Sequence, residues 1–111
     1  MSTYWNELHT ENNGKYNIVL SWTYEDTDPK DLYDEELWDI QDIYNKIDRG
    51  LLTWAIARVQ VFKNNVELAS EYIGGLLYEN LEDIITDGIY SDLKHEAIYR
   101  ADKAIYDLVY N

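Results

Sequence analysis

Residues 51–75 read LLTWAIARVQVFKNNVELASEYIGG, and the reading of this stretch decides the fold. Leu51 to Lys63 is rich in β-branched and aromatic residues, the composition of a strand. Lys63-Asn64-Asn65 is a turn, and Val66 to Ile73 reads as the returning strand. Gly74-Gly75 ends or bulges that strand. The segment therefore predicts an antiparallel hairpin.

Upstream, residues 16–25 alternate. Tyr16, Ile18, Leu20, Trp22 and Tyr24 point one way, and Asn17, Ser21, Thr23 and Glu25 point the other. That period of two predicts a half-buried strand. Between this strand and the hairpin, Asp28-Pro29-Lys30-Asp31 is a helix start. Asp28 can accept from the free backbone N–H groups, and Pro29 suits the first helical position. The helix is expected to run to about Asp48, where Gly50 supplies the stop. Its apolar stripe is Tyr33, Leu37, Ile40, Tyr44 and Ile47. In the first twelve residues, Trp5 and Leu8 are three apart and allow a short helix that stops near Asn13-Gly14. Downstream, Asn80 caps a short helix over Leu81 to Thr86, closed by Asp87-Gly88. Ser91 caps a last helix to about Val109, with Leu93, Ala97, Ala101, Ala104 and Leu108 on one face. The expected architecture is an α+β domain over residues 1–111, in the order β-α-β-β-α. An antiparallel sheet of about three strands is packed by helices.

The chain's 111 residues suit one domain, and 46% hydrophobic content is enough for a core. Acidic residues number 22 and basic ones 9, a net charge of −13. Such a surface repels phosphates and anionic headgroups, which argues against direct nucleic-acid or membrane binding. It favours a partner with a basic groove. There is no cysteine, so disulfides, thiolate metal sites and cysteine catalysis are excluded. MSTYWNELHT has neither a basic n-region nor an apolar h-region, and no apolar run approaches the length of a membrane span. A cytoplasmic location is the expectation.

The most informative segment is Glu25 to Asp42, with nine acidic residues against one lysine, Lys30. On one continuous helix, Asp31, Asp34, Glu35, Asp39 and Asp42 fall opposite the apolar stripe, and Trp38 falls among them at about 140° from Tyr33. Asp31 to Asp42 would span roughly 17 Å, giving one carboxylate per about 3.3 Å. One strand of B-DNA carries one charge per about 3.4 Å of axis. A solvated, solubilising face is the plain alternative. Against it stand the unpaired, mutually repelling acids and the tryptophan, a residue type enriched in interface hot spots. A second acidic group, Glu79, Glu82, Asp83, Asp87 and Asp92, contains no base.

Eleven tyrosines are a further resource for an interface. Tyr33 and Tyr44 suit a core. Tyr99 and Tyr106 lie one heptad apart, away from the alanine-rich face, with Tyr110 one turn beyond; a target or a second copy of the chain could use them. Nothing points to catalysis or to a cofactor. His9 and His95 lie in different elements without metal-ligand spacing. Asp26, Asp28 and Asp34 resemble fragments of a calcium loop that lacks its glycine and terminal glutamate. Gly74-Gly75 opens no phosphate-binding fingerprint. The expectation is a protein that is not an enzyme and binds no metal.

Ala57-Arg58-Val59 through Tyr72-Ile73-Gly74-Gly75, then Tyr78-Glu79 and Asp87-Gly88-Ile89-Tyr90-Ser91-Asp92-Leu93, resembles a pattern in small bacteriophage proteins. The resemblance covers about a third of the chain and brings no activity or site residues. In size, charge and tyrosine content the chain also resembles phage-encoded DNA-mimic inhibitors of restriction and CRISPR systems. That second resemblance implies a partner, the basic groove of a nucleic-acid-binding host complex. The partner-binding residues expected are Asp31, Asp34, Glu35, Trp38, Asp39, Asp42, Glu79, Glu82, Asp83 and Asp87. The alternative is an interaction module that uses the tyrosine- and tryptophan-rich surface, with the charge serving solubility.

Overall fold

The computed structural model describes residues 4–110. Its elements are β1 (Asn6–Asn12), β2 (Asn17–Tyr24), α1 (Pro29–Leu32), α2 (Ile40–Asp48), β3 (Thr53–Lys63), β4 (Val66–Tyr78), α3 (Asp83–Thr86) and α4 (Ile89–Tyr110). The strands form one antiparallel sheet in the order β1-β2-β3-β4. The fold class is α+β, with four strands where the sequence pattern gave about three.

The additional strand is β1. Residues 6–12 of the expected N-terminal helix pair with β2 instead, Tyr4 and Trp5 precede the strand, and residues 1–3 of that expectation lie outside the described residues. A helix this short is marginal alone, whereas β2 offers an open edge of backbone donors and acceptors. The register slips between Glu7 and His9, a bulge that hides the period of two from a sequence reader.

β3 and β4 are joined through Asn64 (φ 52°) and Asn65 (φ 66°), the backbone of a two-residue hairpin turn of the favoured twist. Gly74-Gly75 bulges β4 and does not end it. Ala55 pairs with Leu76 and Ala57 with Ile73, so Ile56 faces two residues, and the strand continues to Tyr78.

One face of the sheet carries the core. Ile18 and Leu20 of β2 and Ala57, Val59 and Val61 of β3 are fully buried against Ile84, Tyr90, Leu93, Ala97 and Ala101. Small side chains on α4 let it lie close to the strands. Helix α4 begins two residues before the expected Ser91 cap. Asp87 Oδ1 accepts from the Ile89 N–H at 3.1 Å, and Gly88 takes the φ of +99° that precedes the first turn.

Two burial expectations change at the ends of the sheet. On β2, Trp22 is only half-buried and Tyr24 is exposed, while Ser21 and Thr23 on the opposite face are buried. The helix layer no longer covers the strand there. At the far end α4 outruns the sheet, so Leu108, expected in the core, is 80% exposed. The molecule is elongated, with a Cα radius of gyration of 16.4 Å against about 13 Å for an average fold of this length. Among the described residues no helix is long and apolar enough to cross a membrane.

Candidate functional site

Charge is distributed unevenly along the fold. Residues 25–50 hold ten acids and three bases, and residues 79–92 hold five acids and no base. The rest of the chain holds seven acids and six bases, so twelve of the thirteen net negative charges come from these two segments. Tyr24 pairs with Ala55, and Thr53 pairs with Tyr78. The β2–β3 connection and the β4–α4 connection therefore leave the sheet at the same end. The two acidic groups share an end of the sheet, the first seated on Trp54 and the second carrying Ile84 into the core under α4.

The first acidic segment is not one helix, which corrects the continuous acidic face. α1 closes at Leu32, Tyr33 is extended, residues 34–38 form a turn, and α2 begins at Ile40. The aspartates are the cause. Asp28 accepts from the Lys30 N–H at 3.1 Å, Asp34 from the Glu36 N–H at 2.8 Å, and Asp39 from the Asp42 N–H at 3.1 Å. Each offers the backbone a local partner that ends or starts a turn of helix, where a glutamate would have let it run on. The evenly spaced row of anions along one axis is therefore absent. Leu37, expected in the apolar stripe, is 78% exposed for the same reason.

An aromatic cluster holds this acidic arm on the sheet. Tyr33 donates its hydroxyl to the Gly75 carbonyl at 3.3 Å and packs on Trp54 at 5.7 Å and on Trp38 at 5.2 Å. Trp54 Nε1 donates to the Thr27 carbonyl at 2.6 Å. Glu25 accepts from the Gly75 N–H at 3.3 Å, and a Cβ at Gly74 would lie 2.6 Å from the same carboxylate. Ile40 and Ile43 are buried, and Tyr44 donates its hydroxyl to Asp28. That bond, with the Lys30 N–H behind it, holds the Asp28 carboxyl below its ordinary range. Tyr33 and Tyr44 thus belong to this cluster and not to the main core.

The expected partner-binding residues are disposed as follows. Asp31, Asp34, Glu35, Asp39 and Asp42 are all exposed. Asp42 pairs with Lys46 at 3.0 Å, and Asp34 and Asp39 also serve as caps. Trp38 is 52% exposed and forms one wall of an open depression shared with Glu35, Asp39, Ile40, Gln41 and Tyr44. Glu79, Glu82 and Asp83 are exposed around α3. Asp87 has structural work: it accepts from the Tyr78 hydroxyl and from the first N–H of α4. Burial first, and then Asp87, raises the Tyr78 pKa. Sequence reasoning missed the seat formed by Glu25, Tyr33, Trp54 and Gly75. Its one visible signal was a glycine pair inside a strand pattern.

The opposite end of the molecule is different. Tyr99, Tyr106, Leu108, Val109 and Tyr110 are exposed on α4, and Tyr106 and Tyr110 stack on each other at 4.6 Å. No group of three or more His, Cys, Asp or Glu among the described residues is placed to hold a metal ion. Comparison of the chain with family models, with curated proteins and with solved structures gives no match.

Proposed function

We propose that the acidic end is a docking surface for the basic, nucleic-acid-binding groove of another protein, and that occupying this groove blocks it. In this reading the protein is an inhibitor of a host defence complex, of the anti-restriction or anti-CRISPR kind, acting in the bacterial cytoplasm. The observation that carries it is the gathering of twelve net negative charges on two connections at one sheet end, with an exposed indole among them. Carboxylates there stand in for phosphates, and Trp38 adds contact that salt does not screen. Because the row of anions is broken, the mimicry lies in charge density and not in phosphate spacing.

The test neutralises Asp34, Glu35, Asp39 and Asp42 together as D34N, E35Q, D39N and D42N. Asparagine still caps helices, so the arm keeps its fold. Parent and variant serve as bait in a bacterial lysate, with duplex DNA as competitor. The expected result is capture of nucleic-acid-handling proteins by the parent, displacement by DNA, and loss of capture in the variant. Equal capture by the variant refutes the reading.

A second reading is favoured by the last two turns of α4, which present Tyr106, Leu108, Val109 and Tyr110 to solvent. Here the chain is an interaction module that docks a protein through its aromatic surface. Binding then survives high salt and is lost in Tyr106→Ala.

A further inference from the structure

Helix α4 covers one face of the sheet. Beyond the sheet end, where Leu32 of α1 and Tyr33 pack beside Trp54, the other face carries no helix among the described residues. One row across it reads Glu7, Ser21, Arg58 and Tyr72, set by the cross-strand pairing. Trp5 reaches over this face. Its ring lies 4.0 Å from the Arg58 guanidinium carbon and meets Tyr72 edge-on at 6.0 Å. Ser21 and Thr23 beneath are buried.

Arg58 is anomalous in this setting. Its Nε is the one buried side-chain polar atom among the described residues with no hydrogen-bond partner. No described acid pairs with the Arg58 guanidinium, and its described side-chain contact is the Trp5 ring. Buried donors are nearly always satisfied, so an exception calls for an explanation. An arginine held over an indole has lost rotamer freedom and part of its hydration. Both losses make it a better bidentate donor than a free surface arginine.

We propose that Arg58 anchors a second binding surface, which takes an aspartate or glutamate side chain of a partner protein laid across the open sheet face. The guanidinium supplies a two-bond fork for the carboxylate. Farther along the same face, past Gln60, a shallow depression lined by Thr10, Asn17, Val19, Phe62 and Asn65 offers room for more of the partner chain. Charge complementarity selects the partner. Outside the two acidic connections the chain is nearly neutral, so a single carboxylate meets less repulsion here than at the acidic end, with Glu7 two strands away in the same row. A nucleic acid would bring its whole phosphate chain against a molecule of charge −13. A second copy could offer its own Glu7 to Arg58. The two-fold axis that pairs them runs along the strands, however, and would set both acidic ends side by side. The proposal does not rest on the function proposed for the acidic end.

The test uses the full chain, labelled with nitrogen-15, and follows the Arg58 Nε–H and Trp5 indole N–H resonances. The probes are N-acetyl-glutamate α-amide and its glutamine counterpart, at constant ionic strength. The expected result is a saturable shift of both resonances with the glutamate compound and none with the glutamine compound. Arg58→Lys should weaken it about tenfold through loss of the fork, and Arg58→Gln should abolish the Trp5 response. If Arg58→Gln disturbs the fold, Trp5→Leu replaces it: with the stack gone, the Arg58 response should weaken at least about threefold. The four-site acid-neutralised variant should respond as the parent does, which separates this proposal from the one above. Equal shifts with both probes, or a Trp5 response unchanged in Arg58→Gln, overturn the proposal. So does a sedimentation profile in which the parent is a dimer and Arg58→Gln a monomer, because the occupant is then a second copy.

Discussion

The sheet–helix body and the acidic arm are held together by different means. In the body, fully buried aliphatic residues such as Ile18, Leu20, Val59 and Val61 meet α4, and acids are matched to bases across elements. Lys15 pairs with Asp102 at 2.8 Å, Lys94 with Glu11 at 2.9 Å, and Arg100 with Glu71 at 2.6 Å. In the arm the acids outnumber the bases ten to three, and the only ion pair there among the described residues is Asp42–Lys46. What holds it is a small aromatic cluster, three aspartate caps and a seat on a glycine bulge. Seven of the net negative charges thus lie on a segment that supplies no residue to the main core. Binding loops are commonly drawn from the less stable parts of a fold, which suits the docking role proposed for the arm.

The sharpest way to break this contrast is at Gly75. Its φ is +72°, and an added Cβ would meet Leu32 at 3.1 Å. Gly75→Ala puts a side chain in a disfavoured backbone region and pushes against the arm. The expected cost is about 1–3 kcal/mol, borne by the docking of residues 25–50. Hydrogen exchange should speed up over those residues while the central amides of β3 keep their protection. If β3 loses protection equally, arm and body are one cooperative unit and the contrast is wrong.

A smaller effect comes from pH. Glu11 is held below its ordinary range by the Tyr90 hydroxyl first and then by Lys94. Asp102 is lowered by Lys15 and then Tyr16, and Asp28 by Tyr44 and then the Lys30 N–H. In each case the folded chain binds the proton less readily than the unfolded one. The stabilisation is complete above the unfolded carboxylate range, about pH 4 to 4.5, and is lost as pH falls through the folded values. Thermal midpoints should therefore fall below about pH 4. Tyr90→Phe removes the largest influence at Glu11 and should flatten the body's share of that fall. Tyr44→Phe should flatten the arm's share alone, read by exchange over residues 25–50. A fall unchanged in both variants means these carboxylates do not couple to folding.

These contrasts also explain what could be read from the sequence. The hairpin was legible because β-branched and aromatic composition and the Lys63-Asn64-Asn65 turn agree, and the buried stripe Leu93, Ala97 and Ala101 follows from helical spacing alone. β1 was hidden because its bulge breaks the alternation and its neighbour along the chain gives no sign of a free edge. The acidic helix failed at Asp34 and Asp39, where short side chains compete for the backbone and a wheel diagram registers only their charge. The docking seat was invisible for another reason: Tyr33 and Gly75 are far apart in sequence, and the partnership exists only after the sheet forms. The stack of Trp5 on Arg58 is hidden in the same way.

The smallest expected effect tests the other end of the molecule. Periodicity puts Leu108 on the same face as Leu93 and Ala101, yet it is 80% exposed, because α4 continues after the sheet has ended. If that is right, Leu108→Ser removes no core contact, and stability should stay within about 0.5 kcal/mol of the parent. A core leucine truncated in this way would cost about 2–5 kcal/mol, so chemical denaturation separates the two cases cleanly. A large loss would place Leu108 under a cover, a second chain being the simplest one, and sedimentation of the same variant would then show the assembly dissociating. A negligible loss leaves Leu108, Val109 and Tyr110 as open apolar surface beyond the core, set at the opposite end from the carboxylates. A partner gripping one end would then leave the other free, and the two proposed surfaces could be occupied together.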